Sequence, residues 1–168
     1  MNTCNYAGID VYDINNGKGF GVTLFVQGCP HHCKGCHNPQ TWDYNSGKVF
    51  TSEVMDKLLG VASSDNIIRL TISGGEPFDN VFLCEAVAEE FKIRYPNKSI
   101  WVYSGYTYEE LKTHYDAHFL LDLCDVLVDG PYIQEKRDLS LAFRGSSNQR
   151  IIDLNKTRKH NEVVLLDI

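Results

Sequence analysis

Long apolar runs are missing from this 168-residue chain, and so is any concentration of positive charge. No stretch approaches the roughly 18 apolar residues of a membrane helix, so no membrane partner is expected. Lys and Arg number 16 against 22 Asp and Glu, a formal net charge of −6. The deficit is spread over the whole length, with no basic arm. Nucleic-acid binders concentrate Lys and Arg because phosphate neutralisation supplies much of their affinity, so nucleic acid is excluded as the main partner. Met1-Asn2-Thr3-Cys4-Asn5-Tyr6 lacks the basic start and apolar run of a secretory signal, which predicts a cytoplasmic protein with reduced thiols. Proline, at 5 residues, and glycine, at 13, are too sparse for collagen-like or low-complexity sequence.

What is present is ordinary globular composition, 43% hydrophobic and 23% charged, without internal repeat or linker. A single domain over residues 1–168 is expected. Ala7, Ile9 and Val11 alternate as a short strand, and Phe20 to Val26 forms a stronger one. Val54, Met55, Leu58, Leu59 and Ala62 recur at helical spacing, followed by a β-branched strand from Ile67 to Ile72. Asp79 is placed to cap a second helix with the stripe Cys84, Val87, Ala88, Phe91 and Tyr95, stopped by Pro96-Asn97 before the strand Ser99 to Tyr103. Thr107 and Glu110 make a capping box for a third helix. Val126 to Val128, Ile151 to Leu154 and Val163 to Ile168 read as further strands, and Lys156, Arg158 and Lys159 as a solvated turn. Strands alternating with helices predict an α/β fold with a mostly parallel sheet and its sites at the carboxyl ends of the strands.

Three of the six cysteines are crowded into eight residues, Cys29-Pro30-His31-His32-Cys33-Lys34-Gly35-Cys36. Cys84 and Cys124 fall in apolar patterns and read as small core residues, and Cys4 as incidental. The Cys-x3-Cys-x2-Cys spacing lets one loop aim three thiolates at a common centre, which selects zinc or an iron–sulfur cluster. His31, His32 or His37 would supply the fourth ligand of a closed zinc site, so spacing alone leaves the two metals level.

The cysteine loop follows one strand, and the next main strand ends in Gly74-Gly75-Glu76-Pro77. In this order the two motifs resemble those of the radical S-adenosylmethionine enzymes. The resemblance implies that Cys29, Cys33 and Cys36 hold a 4Fe-4S cluster whose fourth iron is left open for S-adenosyl-L-methionine. It also implies that the Gly-Gly-Glu-Pro strand end meets the cofactor's ammonium. Gly74 and Gly75 would let backbone approach the cofactor while Glu76 offers a carboxylate. Ser104 and Asp129, at the ends of successive strands, are further candidate cofactor contacts, with turn chemistry as the alternative.

Asn16-Gly17-Lys18-Gly19-Phe20, Phe25-Val26-Gln27-Gly28, Cys36-His37-Asn38-Pro39 with Thr41-Trp42, Tyr103-Ser104-Gly105-Tyr106 and Arg144 through Arg150 are similar to one branch of those enzymes. That branch activates anaerobic ribonucleoside-triphosphate reductases. Gly35 stands where many radical S-adenosylmethionine enzymes carry an aromatic residue, a departure this branch shares. The resemblance implies reductive cleavage of the cofactor to a 5′-deoxyadenosyl radical, which takes a hydrogen atom from a glycine of the reductase large subunit and leaves a glycyl radical there. A one-electron donor such as flavodoxin is implied too. A complete β/α barrel takes roughly 250 residues, so this chain is expected to form a partial one, open on a side that suits a protein substrate. Two alternatives stand beside this one: a radical S-adenosylmethionine enzyme acting on a small molecule, similar to the carboxydeazaguanine synthases, and a zinc-stabilised binding module without catalysis.

Overall fold

The computed structural model describes residues 4–168, so Met1, Asn2 and Thr3 of the N-terminal stretch lie outside the described residues. Seven strands form one open sheet in the order β3-β1-β2-β4-β5-β6-β7. They are β1 (Asn5–Asp13), β2 (Gly21–Val26), β3 (Lys48–Val49), β4 (Arg69–Gly74), β5 (Ser99–Tyr103), β6 (Val126–Asp129) and β7 (Arg150–Asp153). The four central strands, β2, β4, β5 and β6, run parallel, while β1, β3 and β7 are antiparallel additions at the flanks. The end strands β3 and β7 do not pair with each other, so the sheet is not closed.

The helices are α1 (Ser52–Ala62), α2 (Val81–Arg94), α3 (Tyr108–Thr113), α4 (His118–Leu123) and α5 (Leu154–His160). No helix among the described residues is long and apolar enough to cross a membrane. Alternate residues of a strand point to opposite faces, and the faces of this sheet differ in chemistry. Val22, Leu24, Val26, Leu70, Ile72, Ile100, Val102 and Leu127 meet Leu58, Leu59, Cys84, Val87, Phe91 and Leu120 of the helices in the main core. The other face carries a smaller cluster, Trp101, Val126, Val128 and Ile151, packed by Tyr103, Phe143 and Leu166. Beside it, Thr23, Arg69 and Thr71 are fully buried. Arg69 donates to Thr71 Oγ1 at 2.7 Å and to the Asp13 carbonyl at 2.7 Å, which ties the loop after β1 onto this face.

Several sequence expectations need correction. Asp79 does not cap the second helix: it ends a 3-10 turn at Pro77–Asp79, and Asn80 precedes α2 without a side-chain cap bond. The expected strand from Val163 to Ile168 is reduced to one bridge, Leu165 to Ile152, with Asp153 N on Val164 O at 2.9 Å and Leu166 N on Ile151 O at 2.8 Å; the stretch before it is α5, which Asp153 starts by accepting from Lys156 N at 2.9 Å. Arg158 lies in that helix, not in a solvated turn, and donates to the carbonyls of Leu121 and Cys124 at 3.1 Å each. The Thr107 capping box, the strand Ser99–Tyr103 and the burial of Cys84 and Cys124 are as expected.

Candidate functional site

Two strand ends build the site. At the end of β2, Gln27 donates from Nε2 to the carbonyls of Gln40 and Asp43 at 2.8 and 2.7 Å, anchoring the segment that follows the cysteines to the strand that precedes them. Gly28 N donates to Thr41 O at 2.7 Å and Cys29 N to Trp42 O at 3.2 Å, so the two sides of the cysteine loop lie along each other. At the end of β4, Gly75 N donates to Val26 O at 2.9 Å and Glu76 N to Gly28 O at 2.8 Å. The Cys loop and the Gly-Gly-Glu-Pro segment are therefore joined backbone to backbone.

This contact changes the reason for the glycines. A Cβ on Gly75 would stand 2.3 Å from Gly28 O, and one on Gly74, at φ +98, would stand 2.6 Å from Val26 N. The neighbouring strand end, not only a cofactor, demands that both positions lack a side chain. Gly35 sits at φ +77 with the Gln134 side chain 2.8 Å from where its Cβ would be. An aromatic residue there would be strained, which accounts locally for the departure at this position.

Backbone amides act on the thiols of the loop. Asn38 N donates to Cys36 Sγ at 3.4 Å, and the amides of His31 and His32 on Cys29, and of Tyr132 on Cys33, pull those thiols down against burial. Such donors favour sulfur carrying negative charge, as it does when it ligates iron, so the donor set fits a cluster. Without metal, burial and then the nearby charge of Glu76 push the Cys29 thiol up to about 11, and burial raises Cys33 as well. Among the described residues no three His, Cys, Asp or Glu side chains converge as one metal ion needs. The histidines are engaged elsewhere: His32 stacks on Trp42 at 4.4 Å, His37 packs against Tyr132 at 5.5 Å, and His31 Nε2 is 2.7 Å from Glu76 Oε2.

Glu76 is 1% exposed. Its Oε1 accepts from Phe78 N at 3.0 Å and Ser104 Oγ at 2.9 Å, and its Oε2 from Gly105 N at 2.8 Å in addition to His31. The carboxylate holds the His31 imidazole above its ordinary pKa, more than offsetting burial. Ser104 thus joins the same cluster as Glu76. Asp129 does not: it accepts from Tyr108 N at 2.7 Å and pairs with Arg150, whose guanidinium reaches Glu109 as well. Arg144 donates to Gln149 O at 3.0 Å, and Gln149 Oε1 accepts from the amides of Gly145 and Ser146, so the Arg144 to Arg150 segment is folded on itself.

Sequence reasoning missed two tyrosines. Tyr44 lies against Gly28, where a Cβ would be 2.2 Å from the ring, and its hydroxyl donates to Asp79 at 3.2 Å. Tyr106 donates to the other oxygen of Asp79 at 3.0 Å and presents its ring to His31 at 4.5 Å. Burial and Asp79 together push both phenols above their ordinary range. Nothing in local spacing signals this pair, because Tyr44, Asp79 and Tyr106 meet only after the sheet has formed.

Known proteins similar to this chain define its family. A family described as a 4Fe-4S single cluster domain matches residues 15–152, which places the chain among single-cluster iron–sulfur proteins. Proteins named anaerobic ribonucleoside-triphosphate reductase-activating protein are similar over most of their length. The one from Vibrio cholerae is 43% identical over 155 residues, covering 90% of this chain and 97% of its own. That of Salmonella typhimurium is 43% identical over 141 residues, 82% and 90%, and that of Escherichia coli 40% over 149 residues, 86% and 96%. The chain belongs to the family of anaerobic ribonucleoside-triphosphate reductase-activating proteins.

Proposed function

We propose that this chain is a radical S-adenosylmethionine activase that installs a glycyl radical on the large subunit of an anaerobic ribonucleoside-triphosphate reductase. The observation that carries it is the junction of the two motifs, Glu76 N on Gly28 O at 2.8 Å, which sets a three-thiol loop beside a buried carboxylate. Cys29, Cys33 and Cys36 are the cluster ligands, and Gly74, Gly75, Glu76 and Ser104 form the cofactor side. Asp129 enters as a positioning residue, through the start of α3 and Arg150. When bound, the cluster and S-adenosyl-L-methionine supply one-electron cleavage and hydrogen-atom abstraction. The chain's own work is to hold both groups, orient them and exclude water. The sheet is a partial barrel of the radical S-adenosylmethionine type, used as one unit over residues 1–168, in the cytoplasm, with electrons from a donor such as flavodoxin.

Anaerobic reconstitution followed by mixing with the reductase and cofactor tests this. An electron paramagnetic resonance doublet should appear on the reductase and collapse when the glycine α-hydrogen is deuterium. Cofactor cleavage with turnover of a pterin-derived small molecule and no reductase radical would overturn the substrate assignment. A colourless, zinc-containing product would overturn the whole reading. Cys29→Ala, Cys33→Ala and Cys36→Ala should each abolish cofactor cleavage, whereas Cys84→Ala, in the core, should keep it.

A further inference from the structure

At Glu76 the stretch between the first two cysteines meets the ends of two central strands. An ionised carboxylate offers about four acceptor positions. Phe78 N, Ser104 Oγ and Gly105 N fill three of them, all from the ends of β4 and β5. The fourth partner, His31, comes from between the first two cysteines and reaches across at 2.7 Å. Because the carboxylate only accepts, this contact requires the proton on Nε2.

The seat of the imidazole is built for it. Gly105 leaves open the space in which a Cβ would stand 2.5 Å from His31 Cδ2 and 2.7 Å from Nε2. Tyr106 closes the other side edge-on at 4.5 Å, itself fixed by its bond to Asp79. Without His31, three donors from one side would still fix the carboxylate in the strand ends, and Asn80 Nδ2 would still bridge the carbonyls of Gly28 and Glu76 at 3.1 and 2.9 Å, but no side chain from between the cysteines would reach the carboxylate.

We propose that His31 is a positioning residue that locks the Glu76 segment to the cysteine loop, so that the Gly-Gly-Glu-Pro strand end that receives the cofactor is registered against the cluster without His31 ligating iron. This inference rests on the proposed role of the Gly74 to Glu76 strand end as the cofactor side of the site. A charge-assisted hydrogen bond is among the stronger ones available, so its loss should weaken cofactor binding roughly tenfold. Iron binding should be spared, since all three thiols remain.

The test uses the anaerobically reconstituted, reduced holoprotein and S-adenosyl-L-methionine as the probe. Iron and sulfide content, and the change in the cluster's electron paramagnetic resonance signal on titration with the cofactor, are compared for wild type, His31→Ala, His31→Gln and Gly105→Ala. His31→Ala should bind the cofactor about tenfold more weakly at unchanged iron content. His31→Gln, which restores an N–H donor, should recover most of the affinity, and Gly105→Ala, which expels the ring, should behave as His31→Ala does. Undiminished affinity in His31→Ala, loss of iron from it, or failure of Gln to rescue would each overturn the positioning role. A wild-type protein that holds its cluster but does not respond to the cofactor would instead overturn the functional reading beneath it.

Discussion

Gly75 and Gly60 show how one residue type answers to different neighbours. A methyl group on Gly75 would press on the Gly28 carbonyl at 2.3 Å, and backbone has nowhere to move at the junction of two paired strand ends. Gly75→Ala is expected to destabilise the protein by about 1–3 kcal/mol in urea unfolding, as overpacking does. Gly60, inside α1, has nothing within 4 Å of where a Cβ would stand, and Gly60→Ala should stabilise by about 0.5–1 kcal/mol through helix propensity. Equal effects of the two substitutions would contradict the close approach at Gly75. Arg69 poses a different problem, a cation at 0% exposure with Asp13 Oδ2 at 3.6 Å. Its substitution by Met strands Asp13 beside Thr23, Asn15 and Asn16 with no cation, and should cost about 3–5 kcal/mol. Unchanged unfolding of Arg69→Met would show that the pair is dispensable.

At the scale of elements, Asp125 joins three of them. It accepts from Lys92 Nζ of α2 at 2.6 Å, from Ile100 N of β5 at 2.8 Å and from Asn155 Nδ2 of α5 at 3.0 Å. Burial alone would raise its pKa, but these donors and the Lys92 charge hold it below the ordinary value. A depressed folded pKa contributes stability that is fully present above the unfolded value, about 3.9, and is lost as pH falls through the folded value. The stability gap between wild type and Asp125→Asn should therefore be constant near pH 6 and shrink toward about pH 3. A gap that stays flat in urea unfolding across that range would remove Asp125 from the acid response. None of this was legible locally, since Lys92, Asp125 and Asn155 lie far apart in the chain. The elements that were legible have their causes within a few residues: the capping box of Thr107 and Glu110, Thr71 and Ile72 within β4, the apolar stripe of α1. Helix α5 was illegible for the complementary reason. Asp153 caps a polar helix with no apolar periodicity to announce it.

For the whole molecule, the site was legible where chemistry is concentrated in short motifs, and illegible where the sheet brings distant residues together. Cys29, Cys33, Cys36 and Glu76 stand out in sequence; His31 against Glu76, and Tyr44 and Tyr106 on Asp79, do not. The same logic extends to the partner. Under the proposed function a glycine of another folded protein must come beside the cysteine loop, and the sheet leaves a way in. A cavity of about 500 Å³ opens between His37, next to Cys36, and Tyr103, Arg137, Phe143 and Arg144 on the face opposite the helical core. Leu139, 83% exposed at its rim, is a side chain through which contact of a partner with this face can be tested. Leu139→Asp is expected to leave uncoupled cleavage of S-adenosyl-L-methionine unchanged and to lower activation of the reductase several-fold, at a cost of about 1–2 kcal/mol in association. Reductase titrations followed by the glycyl-radical signal would separate the two. Equal loss of cleavage and activation would mean that the substitution damages the site itself, and full activation would mean that the reductase approaches by another face.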